Sequence, residues 1–294
     1  MRNQRKTTKR KGKEISRRSF IGTAAATGMA TLLSGPGHVF AKGSDKIRVG
    51  LIGCGGRGTG AARDCVGSSK GVEIVAMADM FEERLRMSLQ TLRRNMPDHV
   101  KVTEDSCFVG FDAYEKVLAC NVDMVILATP PHFRPEHLKA AVEANKHVFM
   151  EKPVAVDPVG VRSVIASSEL AKEKRLSIVA GTQNRRSAAH IEIMKRVHDG
   201  AIGEIVAGHS YRLQAGVWVK PRQPGSSDME WQCRNWYYFV WLSGDFPVEM
   251  VIHGIDLVNW AMGSPPVKAI AIGGRISRTA PEYGNIYDHF AIEY

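Results

Sequence analysis

Three groups of residues in this chain carry side chains suited to moving hydrogen. The first is Glu151-Lys152-Pro153. An ammonium there can hydrogen-bond a substrate hydroxyl and stabilise the alkoxide that forms as hydride leaves; the competing reading is a surface lysine. The second is Glu249 and His253, four residues apart on a run with helical spacing. Imidazole titrates near neutrality and can take the hydroxyl proton, with Glu249 one turn away to hold it; a plain helix-surface pair is the alternative. Asp256 follows one turn later as a further member or a structural acid. The third is Gly53, Gly55 and Gly58, spaced G-x-G-x-x-G, with Asp79 lying 21 residues after the last glycine. Glycines at this spacing allow a tight turn, close approach of backbone to a pyrophosphate, and close packing of the next helix. An acid about 20 residues on grips the adenosine ribose hydroxyls and repels a 2′-phosphate, which favours NAD over NADP.

These residues need strand ends to hold them. Ile47, Val49, Leu51 and Ile52 form an apolar run that ends at the glycines, and Val72 to Ala78 forms a second that ends at Asp79. Val122 to Ala128 ends at Thr129-Pro130-Pro131, His147 to Met150 at Glu151, and Leu176 to Ala180 at Gly181-Thr182-Gln183. Helical patterns lie between them, at Phe81–Met96, Phe111–Ala119, Pro135–Ala144 and Pro158–Lys174. Alternating strands and helices predict an α/β fold, a Rossmann-type doubly wound parallel sheet over 46–184. Ligands of such sheets bind at the carboxyl ends of the strands. Gly53, Gly55, Arg57, Gly58, Asp79, Thr129, Pro130, His132, Glu151, Lys152 and Gln183 therefore fall on one rim as candidate cofactor contacts.

Over 185–294 the pattern changes to α+β. It predicts helices at His190–His198 and Glu249–Met262, and strands at Ile205–Leu213, Val267–Arg275 and Asp288–Tyr294 in an open, mostly antiparallel sheet. Between them lies an aromatic run, Trp231 to Trp241. Flat rings there suit the C–H faces of a sugar, with Arg234, Asn235 and Tyr237 as polar contacts; core packing is the alternative. Arg185, Asp256, Lys152 and His253 complete the candidate substrate set. The last strand stops at Tyr294 with nothing to cover the sheet, so a chain cut short at its C-terminus is expected.

The formal net charge of +10 is misleading. Residues 1–41 hold nine basic side chains and one acid, and the rest holds 31 basic and 29 acidic ones. The body is near neutral and carries no nucleic-acid signature. Ser16-Arg17-Arg18-Ser19-Phe20-Ile21 matches a twin-arginine export signal, followed by a weakly apolar stretch and Val39-Phe40-Ala41 as a cleavage site. The expectation is a leader over 1–41, a periplasmic mature protein and no membrane anchor after cleavage. The five cysteines form no C-x-x-C pair, so no metal is expected.

Taken together, VGLIGCGGRG, Asp79, Ala128-Thr129-Pro130, Glu151-Lys152-Pro153 and His253-Gly-Ile-Asp256 resemble the glucose–fructose oxidoreductase / inositol dehydrogenase (Gfo/Idh/MocA) family. The resemblance spans residue 46 to about 263. It implies an NAD-linked oxidoreductase acting on a sugar or polyol, with Lys152 and His253 against nicotinamide and substrate. It also implies a homo-oligomer built through the C-terminal sheet. Family members often carry Asp where this chain has Glu249. Two alternatives accompany it. One is an NAD-dependent glycosidase that oxidises its sugar transiently and eliminates a leaving group. The other is a dinucleotide- or sugar-binding protein without turnover. An exported enzyme of this kind is further expected to keep its NAD through many turnovers.

Overall fold

A computed structural model describes residues 46–294; the leader and cleavage site expected over 1–41 lie outside the described residues. The apolar runs become strands β1 (Ile47–Ile52), β2 (Val72–Asp79), β4 (Met124–Leu127), β5 (His147–Met150) and β6 (Ile178–Ala180). A short edge strand, β3 (Cys107–Val109), joins them. All six pair in parallel, in the order β3-β2-β1-β4-β5-β6. That is the doubly wound order, which reverses direction between β1 and β4 and opens a crevice there.

Helices α1 (Gly56–Ser68) and α2 (Glu82–Asn95) cover one face; α3 (Ala113–Ala119), α4 (Arg134–Glu143) and α5 (Pro158–Glu173) lie on the other. Successive strand residues point to opposite faces, so β1 splits its side chains between two cores. Leu51 packs with Met77, Leu85 and Leu89 on one side, and Ile52 packs with Leu127, Leu138 and Val142 on the other. Most of these are fully buried. Each such aliphatic contributes about 1.5–3 kcal/mol by leaving water, which makes the sheet a rigid base for the loops at its strand ends. Asp157 caps α5 by accepting from the Gly160 N–H at 2.7 Å.

After β6 come α6 (Ala188–His198), α7 (Asp228–Arg234), α8 (Val240–Ser243), a π-helical turn at Pro247–Val251, and α9 (Ile252–Met262). The antiparallel pair β7 (Ile270–Gly274) and β8 (His289–Glu293) follows. The strand expected at Ile205–Leu213 does not form. Among the described residues the segment has no ladder partner, and Val206, Tyr211 and Leu213 are each more than 80% exposed. Alternating side chains make a strand only where a neighbour completes its hydrogen bonds. The aromatic run is a third core. Tyr237, Tyr238, Phe239 and Leu242 are buried against Phe81 of the Rossmann part.

Candidate active site

A cleft of about 1260 Å³ runs along the carboxyl ends of the strands. At its centre the chain turns from β1 into α1. Gly53 has φ +97°, and a Cβ there would stand 2.6 Å from the Ala128 backbone. A Cβ on Gly58 would come within 1.8 Å of the Gly53 carbonyl oxygen. Gly55 differs, because a Cβ there would meet nothing within 4 Å. Its backbone faces open space at the first turn of α1, whose leading N–H groups lack helical partners. A pyrophosphate fits such a cradle, and a side chain would fill it.

Asp79 closes β2 with its carboxylate nearly buried. One oxygen accepts the Cys54 N–H at 2.6 Å and the other the Phe81 N–H at 2.9 Å. Burial raises its pKa, and the two N–H bonds oppose that rise. The acid thus ties the glycine loop to the end of β2 and still lines the cleft.

Glu151 is buried at the end of β5 and accepts from Arg57 Nε at 2.6 Å, so the two predicted contacts bind each other across the rim. Lys152 follows. Its ammonium donates to Glu249 Oε1 at 2.8 Å and to the Glu249 carbonyl oxygen at 2.6 Å. Glu249 sits in the π-helical turn, 7% exposed, and its second carboxylate oxygen has no hydrogen-bond partner among the described residues. Burial raises the Glu249 pKa, while the Lys152 cation pulls it down. His253 is half-buried on α9. Burial lowers its pKa first, and the Lys152 cation adds to the effect, which favours the neutral ring.

Among the predicted residues, Gly53, Gly55, Arg57, Gly58, Asp79, Thr129, Pro130, Glu151, Lys152 and Glu249 line the cleft together. The others, His253 on α9 among them, are not part of that lining. His132 is exposed and rests edge-on against Trp241, ring centroids 4.9 Å apart. Gln183 is exposed in a short 3-10 turn after β6. Arg185 and Asp256 pair with each other at 2.8 Å, with the guanidinium over Trp260. Arg234 pairs with Glu83 and Glu230. Asn235 is fully buried. Its amide accepts from the Lys220 N–H at 2.9 Å and donates to the Glu282 carbonyl at 2.7 Å. Tyr237 is buried in the aromatic core.

Sequence reasoning missed Arg134 and His137, both on α4 and both in the cleft wall. Arg134, 4% exposed, donates to the carbonyls of Thr129 and Pro153 and so joins the loops after β4 and β5. Its pKa falls to about 10 through burial. His137 faces Thr129 Oγ1 at 3.3 Å, and burial with the Arg134 charge pushes its pKa down to about 4. A basic residue beside Pro135 at a helix start reads as surface; only the fold turns it inward.

Comparison with known proteins agrees with this geometry. Residues 47–181 match the Gfo/Idh/MocA profile, described as an oxidoreductase family with an NAD-binding Rossmann fold. The chain is 26% identical over 236 residues to inositol 2-dehydrogenase 1 of Saccharopolyspora erythraea, covering 80% of this chain and 60% of that protein. It is 26% identical over 216 residues to a glycosyl hydrolase family 109 protein of Streptomyces coelicolor, covering 66% of this chain and 44% of that one. The fold matches the crystal structure of myo-inositol 2-dehydrogenase from Lactobacillus plantarum with TM-score 0.61 at 21% identity, over 84% of this chain and 65% of that one. The chain therefore spans less than two thirds of the length of these relatives. The profile match, the strand order and the glycine cradle agree on an NAD-binding Rossmann domain over residues 47–181 that is similar to the Gfo/Idh/MocA oxidoreductase family.

Proposed function

We propose that the chain is a dehydrogenase that moves a hydride between nicotinamide and a hydroxyl-bearing carbon of a cyclitol, sugar or related polyol. One observation carries the reading. The Lys152 ammonium stands in the glycine-loop cleft, held at 2.8 Å by the buried Glu249 carboxylate. Bound NAD supplies the hydride acceptor. Lys152 has three N–H donors, two of them spent on Glu249. The third is left for the reacting hydroxyl oxygen, where it stabilises negative charge as the C–H bond breaks. His253, kept neutral, takes the hydroxyl proton. Asp79, accepting at its remaining lone pairs, favours a free ribose 2′-OH and hence NAD over NADP.

The twin-arginine pattern adds a second part. A folded, exported enzyme that released NADH at each turnover would stop after one cycle, so we propose periplasmic action with NAD retained. Retention near 1 nM needs about −12.3 kcal/mol. The family 109 similarity keeps a redox-neutral glycosidase as the second reading, in which the hydride returns to the same sugar. Self-association belongs at the β7–β8 sheet, where Ile270 and Ile272 are more than 70% exposed. The test of the whole reading is NAD content and turnover without added cofactor, measured on protein recovered from the periplasm. Bound NAD with sustained turnover supports it; an empty protein that works only on added NAD removes the retention.

A further inference from the structure

The cofactor cleft is not built by the Rossmann part alone. Trp218, Lys220 and Trp236, all from the C-terminal part, line the same space as the glycine loop and Asp79. Their segment is fixed from behind. The Lys220 N–H donates to the buried Asn235 amide at 2.9 Å, and its carbonyl accepts from Trp231 Nε1 at 3.1 Å. The Val217 carbonyl accepts from the Tyr238 hydroxyl at 3.0 Å. A segment pinned at three points this way presents its outward side chains at little entropic cost.

The same segment is latched to the residues that follow Asp79. The Arg234 guanidinium lies over the Phe81 ring at 3.9 Å, and Arg84 lies over the same ring at 4.9 Å. Arg234 is ion-paired to Glu83, and Arg84 Nη2 donates to the Arg234 carbonyl at 3.4 Å. Phe81 in turn gives its N–H to Asp79. The latch and the ribose-binding acid therefore share one stretch of six residues, 79–84. By the Rossmann rule this is the adenosine side of the cleft.

We propose that residues 217–236 form a cofactor clamp. Trp218 and Trp236 give the stacking surface and Lys220 the cation for the adenosine half of the dinucleotide, and the Arg234–Phe81–Arg84 stack with Glu83 holds the segment closed. Trp218 is 42% exposed and its ring centroid lies 5.9 Å from that of Trp236, so the two rings form one aromatic patch open to the cleft. An aromatic patch and a nearby cation are what a purine nucleotide needs for stacking and charge balance. The clamp rests on the NAD reading and gives slow release a structural cause.

The test uses NADH and the full chain. Tryptophan emission is followed as NADH binds, and NADH release is timed by chase with excess NAD. Bound NADH quenches the wild-type emission, and Trp218→Phe with Trp236→Phe removes most of that quenching. Trp236→Ala speeds release about tenfold. Glu83→Gln, at an exposed position, speeds it about threefold, as befits a partly exposed ion pair. Binding with emission insensitive to NADH, and release unchanged in both variants, overturns the clamp alone. Absence of NADH binding to wild type overturns the cofactor reading and the clamp with it.

Discussion

Lys152 Nζ and Glu249 Oε1 stand 2.8 Å apart, joining the end of β5 to the π-helical turn that precedes α9. The lysine side chain is 17% exposed and the glutamate side chain 10%. Two charges so far from water need each other, because removing one leaves the other buried without compensation. The same pair aims the ammonium into the cofactor cleft, so stability and chemistry meet in one contact.

Lys152→Ala should therefore do two things. It should cut turnover by roughly 10²–10⁴, and it should destabilise the fold by about 3–5 kcal/mol. Glu249→Gln added to Lys152→Ala should restore most of the lost stability and none of the activity. Denaturant titration of the two single variants and the double variant measures this. Additive effects on stability would contradict the buried pair.

The glycine loop makes opposite predictions for two neighbours. Gly55→Ala places its methyl in open space, so the fold should keep its stability while NAD affinity drops at least about tenfold as the cradle fills. Gly58→Ala drives a methyl onto the Gly53 carbonyl, so it should cost stability, about 1–3 kcal/mol, with or without NAD. Thermal unfolding of both variants, with and without NAD, separates the two.

Asp79 should set cofactor choice. Calorimetric titration should show wild type binding NAD more tightly than NADP. Asp79→Ala should weaken NAD by about 1–3 kcal/mol, as a buried polar contact is lost, and narrow the difference. Tighter binding of NADP to wild type would contradict the role.

How much of this could be read beforehand follows from range. The six-stranded sheet was legible because apolar runs, glycines and prolines report strand, turn and stop locally; only the three-residue β3 escaped. The Ile205–Leu213 strand misled because alternation reports a face that needs covering and says nothing of whether a partner strand is there. On the rim, Gly53, Gly58, Asp79 and Lys152 were legible from spacing. Arg134, His137 and Trp218 were not, because burial or placement in the cleft arises from contacts distant in sequence. Asn235 shows the converse. A polar residue amid aromatics reads as a ligand contact, yet its amide is spent on the Lys220 and Glu282 backbone.

His137 gives a pH prediction with a definite sign. Its folded pKa is pushed from the ordinary 6.5 to about 4 by burial and the Arg134 charge. Below pH 6.5 the unfolded chain takes up a proton that the folded chain refuses, so stability falls as the pH drops from 6.5 toward 4. The full loss is roughly 3 kcal/mol. His137→Gln should flatten that part of the stability profile while leaving stability above pH 7 changed by no more than about 1–2 kcal/mol. An unchanged slope in the variant would remove His137 as its source.

The central claim is hydride transfer from a polyol in the cleft that holds Lys152. Single-turnover mixing of the NAD-loaded protein with myo-inositol and a panel of aldoses, followed by nicotinamide absorbance, tests it most directly. At least one of these should reduce the bound cofactor, with the rate slowed roughly 10²–10⁴ in Lys152→Ala. No reduction by any of them, or an equal rate in Lys152→Ala, would contradict it.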